Sequence, residues 1–250
     1  VGLVGGTAVI GILFVLFSSV WASSGPTLSE ANSFYTEGNY EHAVRAYSSL
    51  IDDGNHTGDL YYNLGNALYR DGNKGRAVLA WKISRQLSPR NADAKANIDL
   101  VRGELDTGVD QPETSGPLLL NDVLSIKEQA WMATALLSLV GMIGILGRLR
   151  KSVSVGIPAL LLGLPGIFLF VSVFLSLRMP SMGVVLEQTV LRSEMGVGAG
   201  VVLRELPEGV ELIVRDLVGD YALVELVGHG NGWVGTQNLG IVDAASNFPL

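Results

Sequence analysis

Few side chains in this sequence are of a type that performs reactions. There is no cysteine, which excludes disulfides, thiolate metal sites and cysteine nucleophiles, and the three histidines, His42, His56 and His229, are scattered. No metal and no cofactor are expected. The run Gly196-Val197-Gly198-Ala199-Gly200 has the glycine density of a phosphate loop but neither its spacing nor its lysine, and reads as a loop between strands. A Ser/His/Asp site assembled from distant segments is the one catalytic arrangement that residue order leaves open, and the chain is expected not to be an enzyme. What remains is binding chemistry from amide, aromatic and guanidinium groups. One set comprises Asn32, Tyr35, Tyr62, Asn66, Tyr69, Arg70 and Asn97, and a second comprises Tyr221 and Trp233. The alternatives are a solvated polar face for the first set and core packing for the second.

The elements that position these residues are constrained by composition. Of 250 residues, 48% are hydrophobic and 16% charged, against about 25% charged in a typical soluble protein, and the mean hydropathy is +0.36. Three apolar blocks account for this. Thr7 to Val20 is followed by Trp21-Ala22-Ser23, so Val20 and Ala22 stand three and one residues before a cut after Ala22. Residues 1–22 thus have the pattern of an export signal peptide, with an uncleaved anchor as the alternative. Residues 130–147 and 153–177 carry no charge and are each long enough to cross a bilayer as a helix. Pro158 and Pro165 fall in the second, where a kink is tolerated. Gly141, Gly144 and Gly147 lie near one face of the first and would let the pair pack closely, unless they reflect only the general glycine content of membrane helices. The intervening Arg148-Leu149-Arg150-Lys151-Ser152 is basic, which places it in the cytoplasm and both long soluble segments outside.

The first soluble segment, residues 24–105, repeats on itself. At an offset of about 34 residues, Gly38 matches Gly72, Asn39 matches Asn73, Ala43 matches Ala77 and Tyr47 matches Trp81. Tyr61, Leu64 and Leu68 form one stripe of a first helix; Gly65 and Ala77 are small where two helices cross; Trp81 fills the core from the second helix. Gly72-Asn73 makes the turn between them, and Pro89 ends the second. In the first copy Phe34, Ala43, Tyr47 and Leu50 take the equivalent places. Asn91 to Leu105 adds an amphipathic helix whose Ile98, Val101 and Leu105 can cover the open end of the stack. With Asp59 to Tyr69 leading through Gly72, Ala77 and Trp81 to Pro89, the segment closely resembles the tetratricopeptide repeat. That resemblance implies two repeats plus a capping helix, with Asn32, Tyr35, Tyr62, Asn66, Tyr69, Arg70 and Asn97 on a concave groove where asparagines hold an extended peptide by paired amide contacts. Docking against the helices of a larger protein is the alternative. Trp81 should be buried, and because Asn66 and Tyr62 point away from Leu64 and Leu68, replacing both should leave folding nearly intact.

A linker, residues 106–129, is rich in glycine and proline at Gly108, Pro112, Gly116 and Pro117, and its end, Asp122 to Gln129, is expected to form a short interfacial helix before Trp131, an interface anchor. After Arg178 the pattern changes to five short strand-like runs: Gly183 to Leu191, Gly200 to Leu206, Val210 to Leu217, Tyr221 to Val227 and Gly232 to Val234. The order of Leu206-Pro207-Glu208-Gly209, Gly219-Asp220-Tyr221 and Gly232-Trp233-Val234 resembles the bacterial SH3-like domain, over residues 183–243. The resemblance implies a small all-β barrel, in which Tyr221 and Trp233 either form an aromatic binding surface or pack the core.

The net charge is −7, and nine acidic against four basic residues follow Leu177. Nucleic acid and anionic surfaces are therefore poor partners. The expected fold class is a multi-domain protein: an α-helical tetratricopeptide superhelix, a transmembrane helical hairpin and an SH3-like barrel. Export signal, repeats, basic-looped membrane hairpin and C-terminal SH3-like domain, in that order, resemble the E-type proteins of the Bacteroides aerotolerance (Bat) operon family. The resemblance implies a scaffold or adaptor in a bacterial cytoplasmic membrane, with both soluble domains on the periplasmic or extracytoplasmic side. Its partners would be other envelope proteins, including von Willebrand factor A-domain proteins encoded with MoxR-type ATPases, in envelope stress or aerotolerance. The alternative is an envelope anchor or sensor that recognises peptidoglycan or a peptide through the SH3-like domain.

Overall fold

The computed structural model describes residues 25–105, 112, 119–149 and 156–242. The expected signal peptide, half of the linker, Arg150 to Ser152 of the basic loop and the terminal Asp243 of the expected SH3-like domain lie outside the described residues. Packing divides the chain between Asn55 and His56 into two compact units.

The first unit is a helical hairpin, α1 (Leu28–Thr36) and α2 (Tyr40–Asp52). Thr27 and Glu30 start α1 with a reciprocal capping box. Gly38, at φ 80°, makes the turn that follows it. Ala43, Ala46, Tyr47 and Ile51 are the buried side of α2.

The second unit begins with α3 (Gly58–Arg70), α4 (Lys74–Leu87) and α5 (Ala92–Leu105). Helix boundaries recur at one fixed interval, the interval that separates Gly38 from Gly72: α2 and α4 begin at Tyr40 and Lys74, α3 and α5 begin at Gly58 and Ala92, and α1 and α3 end at Thr36 and Arg70. The apolar stripe falls as expected, with Tyr61, Leu64, Leu68 and Trp81 all buried. A side chain at Gly65 would enter the Trp81 ring, so this crossing requires glycine. The α4 helix is enclosed on every side, since each residue from Ala77 to Ser84 is buried, Lys82 included.

A 3-10 turn (Leu119–Asp122) leads to two long apolar helices, α6 (Ile126–Leu149) and α7 (Gly156–Ser176), of 24 and 21 residues. At about 1.5 Å per residue each exceeds the roughly 30 Å hydrocarbon thickness, and both are apolar enough to cross a membrane. The separate interfacial helix expected at Asp122 to Gln129 is absent. Ser125 and Glu128 form a capping box there, so those residues become the first turn of α6 itself. The glycine expectation is also reversed: nothing approaches Gly141 or Gly144 of α6, whereas Gly163 and Gly166 of α7 face Val140, Leu136 and Leu137. Close approach needs a small residue on only one helix, and here α7 supplies it. At one end of this pair, buried Gln129 donates to Asn121 Oδ1 and the Leu124 carbonyl (both 2.9 Å) and accepts from Ser172 Oγ at 2.8 Å.

The remainder is an antiparallel sheet: β1 (Met182–Val185), β2 (Thr189–Arg192), β3 (Val202–Leu206), β4 (Glu211–Val218), β5 (Tyr221–Leu226), β6 (Gly230–Gly235) and β7 (Leu239–Val242), paired in the order β3-β2-β6-β5-β4-β1-β7. There are seven strands among the described residues where five were expected. The run Gly183 to Leu191 breaks at Leu186 to Gln188, where Leu186 N–H donates to the Asn238 carbonyl, and Leu239–Val242 pairs with β1. Val185, Leu191, Leu206, Leu212, Val214, Val224, Leu226 and Val234 fill one core.

Candidate binding surfaces

In the first unit, exposed Asn32 accepts a hydrogen bond from the Tyr47 hydroxyl at 2.7 Å, and Tyr35 meets Tyr40 edge to face at 5.5 Å. In the second unit, Asn66 accepts from the Trp81 indole N–H at 3.1 Å and from the Asn97 amide at 3.0 Å. Asn32 and Asn66 are one repeat period apart, as are Tyr47 and Trp81. Each copy therefore uses the same staple, an asparagine on its first helix holding the polar tip of the large aromatic on its second. For Asn66 this contact argues against treating the residue as a free surface position: its carbonyl oxygen is the acceptor for a buried indole, so its replacement should weaken folding.

Tyr69 packs against Trp81 with ring centroids 5.8 Å apart and donates its hydroxyl to Glu104 at 2.7 Å. Glu104 also pairs with Lys74 at 2.8 Å. The hydrogen bond from Lys74, then that from Tyr69, holds the Glu104 carboxyl below its ordinary range, and the same contacts raise Lys74 and Tyr69. Of the sequence-selected residues, Asn66, Tyr69 and Asn97 are thus gathered between α3 and α5, where they tie the two helices together. Tyr62 is half-buried on α3 and Arg70 is exposed at its end.

Tyr221 and Trp233 are half-exposed on the outer face of the sheet, while their neighbours Ala222 and Val234 point into the core. Strand register sets Val202, Arg192, Trp233, Leu223 and Asp216 side by side across five strands. Tyr221 lies two residues from Leu223 on the same face. The result is an aromatic and aliphatic strip with one guanidinium.

A buried ion group lies outside the residues expected to bind. Glu211, fully buried, is held by Arg102 through two hydrogen bonds of 3.0 Å and by the Lys82 ammonium. Burial pushes Lys82 below its ordinary pKa, and the charge of Glu211 works against that. Two further pairs reach the start of the apolar helices: Arg85 of α4 with Asp122 in the turn before α6 at 3.0 Å, and Arg90, between α4 and α5, with Glu128 in the first turn of α6 at 2.7 Å. The available signal was alternation. Leu212 and Val214 face the core, so Glu211 lies on the other face, and a lone acid there between apolar neighbours marks a docking point rather than a solvated edge. Among the described residues no group of three or more carboxylates and imidazoles could hold a metal ion. Comparison with protein-family models and with curated proteins finds no match.

Proposed function

We propose that this chain is a membrane-anchored scaffold of a bacterial envelope, whose helices are tetratricopeptide repeats that bind other proteins and whose sheet is an SH3-like domain. The observation that carries this is the single fixed interval at which helix boundaries, and the asparagine–aromatic staple, recur. Such arrays bury a continuous core by stacking and leave an extended face for partners. On α3 the outward side chains for that role are Tyr62 and Arg70, beside the Tyr69–Glu104–Lys74 group. The membrane part follows from α6 and α7, and one contact supports a hairpin topology. Glu211 comes after the second apolar helix and Lys82 before the first, yet they touch. Two segments in contact lie on one side of a membrane, so the chain between them crosses an even number of times. With the basic residues from Arg148 to Lys151 at the inner turn, both soluble parts lie outside the cytoplasm. The order of parts is that of the E-type proteins of the Bat family, and A-domain membrane proteins are the partner class this suggests.

A second function is favoured by the strip around Trp233, where an aromatic ring, Arg192 and Leu223 stand in line. This is a surface for a peptide or peptidoglycan. The experiment is a crosslinking pull-down from native membranes. Membrane proteins of the A-domain class that stay bound after removal of the cell wall support the scaffold. Recovery only with purified wall supports the second function, and recovery of neither overturns both.

A further inference from the structure

Extended by one more period, the repeat breaks in a specific way. The α5 helix is the first helix of a third copy, since Ala92 follows Gly58, the start of α3, by the same interval that separates Lys74 from Tyr40. Yet the positions that build a second helix are lost: Gly72 becomes Asp106, Ala77 becomes Gln111 and Trp81 becomes Ser115. The staple residue goes with them. Leu100, half-exposed, stands where Asn32 and Asn66 stand in the earlier copies, as expected if no aromatic arrives for it to hold.

In a stack of helical pairs, the second helix of a third copy would lie against α4 and α5 together. In this chain the sheet packs on those two helices. A side chain at Gly75 of α4 would collide with the Val185 and Leu186 backbone, one at Gly240 of β7 with Leu79, and one at Gly209 with Leu105. Val78 and Val101 also lie under Gly209. Within this contact is the buried Glu211, taking Lys82 from α4 and Arg102 from α5, one cation from each helix that a third copy's second helix would join.

We propose that the sheet substitutes for the second helix of a third repeat, closing the α4–α5 seat as a built-in cap latched by Glu211. The cap hides Val78, Leu79, Val101 and Leu105, which an uncapped stack would leave open, and so prevents another helical pair from stacking there. It rests on the helical-repeat interpretation but not on any partner, so loss of partner binding would leave it untouched. Because a buried carboxylate and two cations are costly to desolvate and strongly destabilised when one member is removed, the latch should open locally when Glu211 loses its charge.

The absence of cysteine allows a direct test on the full chain in lipid nanodiscs. Val78→Cys places the only thiol under the cap, and Val224→Cys places one in the sheet core; both valines are fully buried. Adding E211Q should speed maleimide labelling of the thiol at position 78 by about tenfold or more and leave that at position 224 unchanged, as a sub-global opening requires. Replacing Lys82, Arg102 and Glu211 together by Met should restore protection at position 78, because an apolar contact of similar volume holds without the charges. Equal acceleration at both positions would show that Glu211 supports only global folding, and no acceleration would show that it holds nothing closed. Either result overturns the latch.

Discussion

The two repeat copies share a staple and differ in what surrounds it. In the first unit the Tyr47 hydroxyl reaches an exposed Asn32; in the second the Trp81 indole reaches a half-buried Asn66 that also holds Asn97. The α2 helix keeps a polar face, with Glu41, His42 and Arg45 exposed and Glu41 paired with Arg45, while α4 is buried all round from Ala77 to Ser84. The same sequence pattern thus makes a hairpin with a polar face in the first unit and a central, enclosed helix in the second. The difference comes from neighbours: α4 carries Lys82 to the sheet and Arg85 to the turn before α6, and the equivalent positions of α2 are Ser48 and Ile51, neither of them charged.

The largest expected effect tests that contrast. Trp81→Ala removes a large side chain that is 1% exposed, and should cost about 3–5 kcal/mol. Since Gly75 and Leu79 of the same helix meet Val185 of β1 and Gly240 of β7, hydrogen exchange should rise in α3 to α5 and in the β1 and β7 strands together. Tyr47→Ala should raise exchange in α1 and α2 and leave the second unit protected. If Trp81→Ala stays as local as Tyr47→Ala, α4 is not central to its unit.

How much of this was visible in the sequence depended on whether a feature was periodic. The helical stripe of Tyr61, Leu64, Leu68 and Trp81, and the two long apolar helices, follow from spacing and hydropathy, and both were legible. Strand content was legible but strand number was not: no glycine or proline separates Val185 from Thr189, and the break at Leu186 is made by a hydrogen bond to Asn238, at the far end of the sheet's sequence. The docking contact was legible only in part: alternation sets Glu211 apart from the core face of its strand, but nothing in the spacing names its partners. The charges of Lys82, Arg102 and Glu211 look like ordinary surface charges until chain segments on either side of two apolar helices are brought together. Asn66 failed in another way: a position on the face opposite the apolar stripe was equated with availability, although a staple to the neighbouring helix starts from that face.

The next effect sharpens the comparison within the staple. Asn66→Ala leaves a buried indole N–H without its acceptor, which should cost about 1–3 kcal/mol. Asn32→Ala should cost no more than about 0.5 kcal/mol, because water can reach an exposed site and take its place. Asn66→Asp, which keeps an acceptor oxygen, should recover much of the loss, and in the Trp81→Phe background Asn66→Ala should cost less than it does alone. Thermal or chemical unfolding of these five variants, the Trp81→Phe background included, measures this. Equal costs for Asn32→Ala and Asn66→Ala would mean that burial does not distinguish the two copies.

The smallest effect on stability should belong to Tyr62→Ala, and it carries the functional half of the comparison. Tyr62 is half-buried on α3, and its equivalent in the first copy is Leu28, which is 49% exposed. Neither is part of the staple, so truncating either should change stability by no more than about 0.5 kcal/mol. Their consequences for binding should differ. An aromatic at a binding face supplies rigid contact area and, when it is an anchor, costs about 1–3 kcal/mol of affinity on truncation, roughly tenfold or more. Tyr62→Ala should therefore keep its melting curve and lose its partner in the membrane pull-down, whereas Leu28→Ala should keep both. Because Asn66 is left intact, a lost partner in this variant cannot be traced to a loosened Trp81. Retention of every partner by Tyr62→Ala at wild-type yield would remove α3 as the binding face and shift attention to the strip around Trp233.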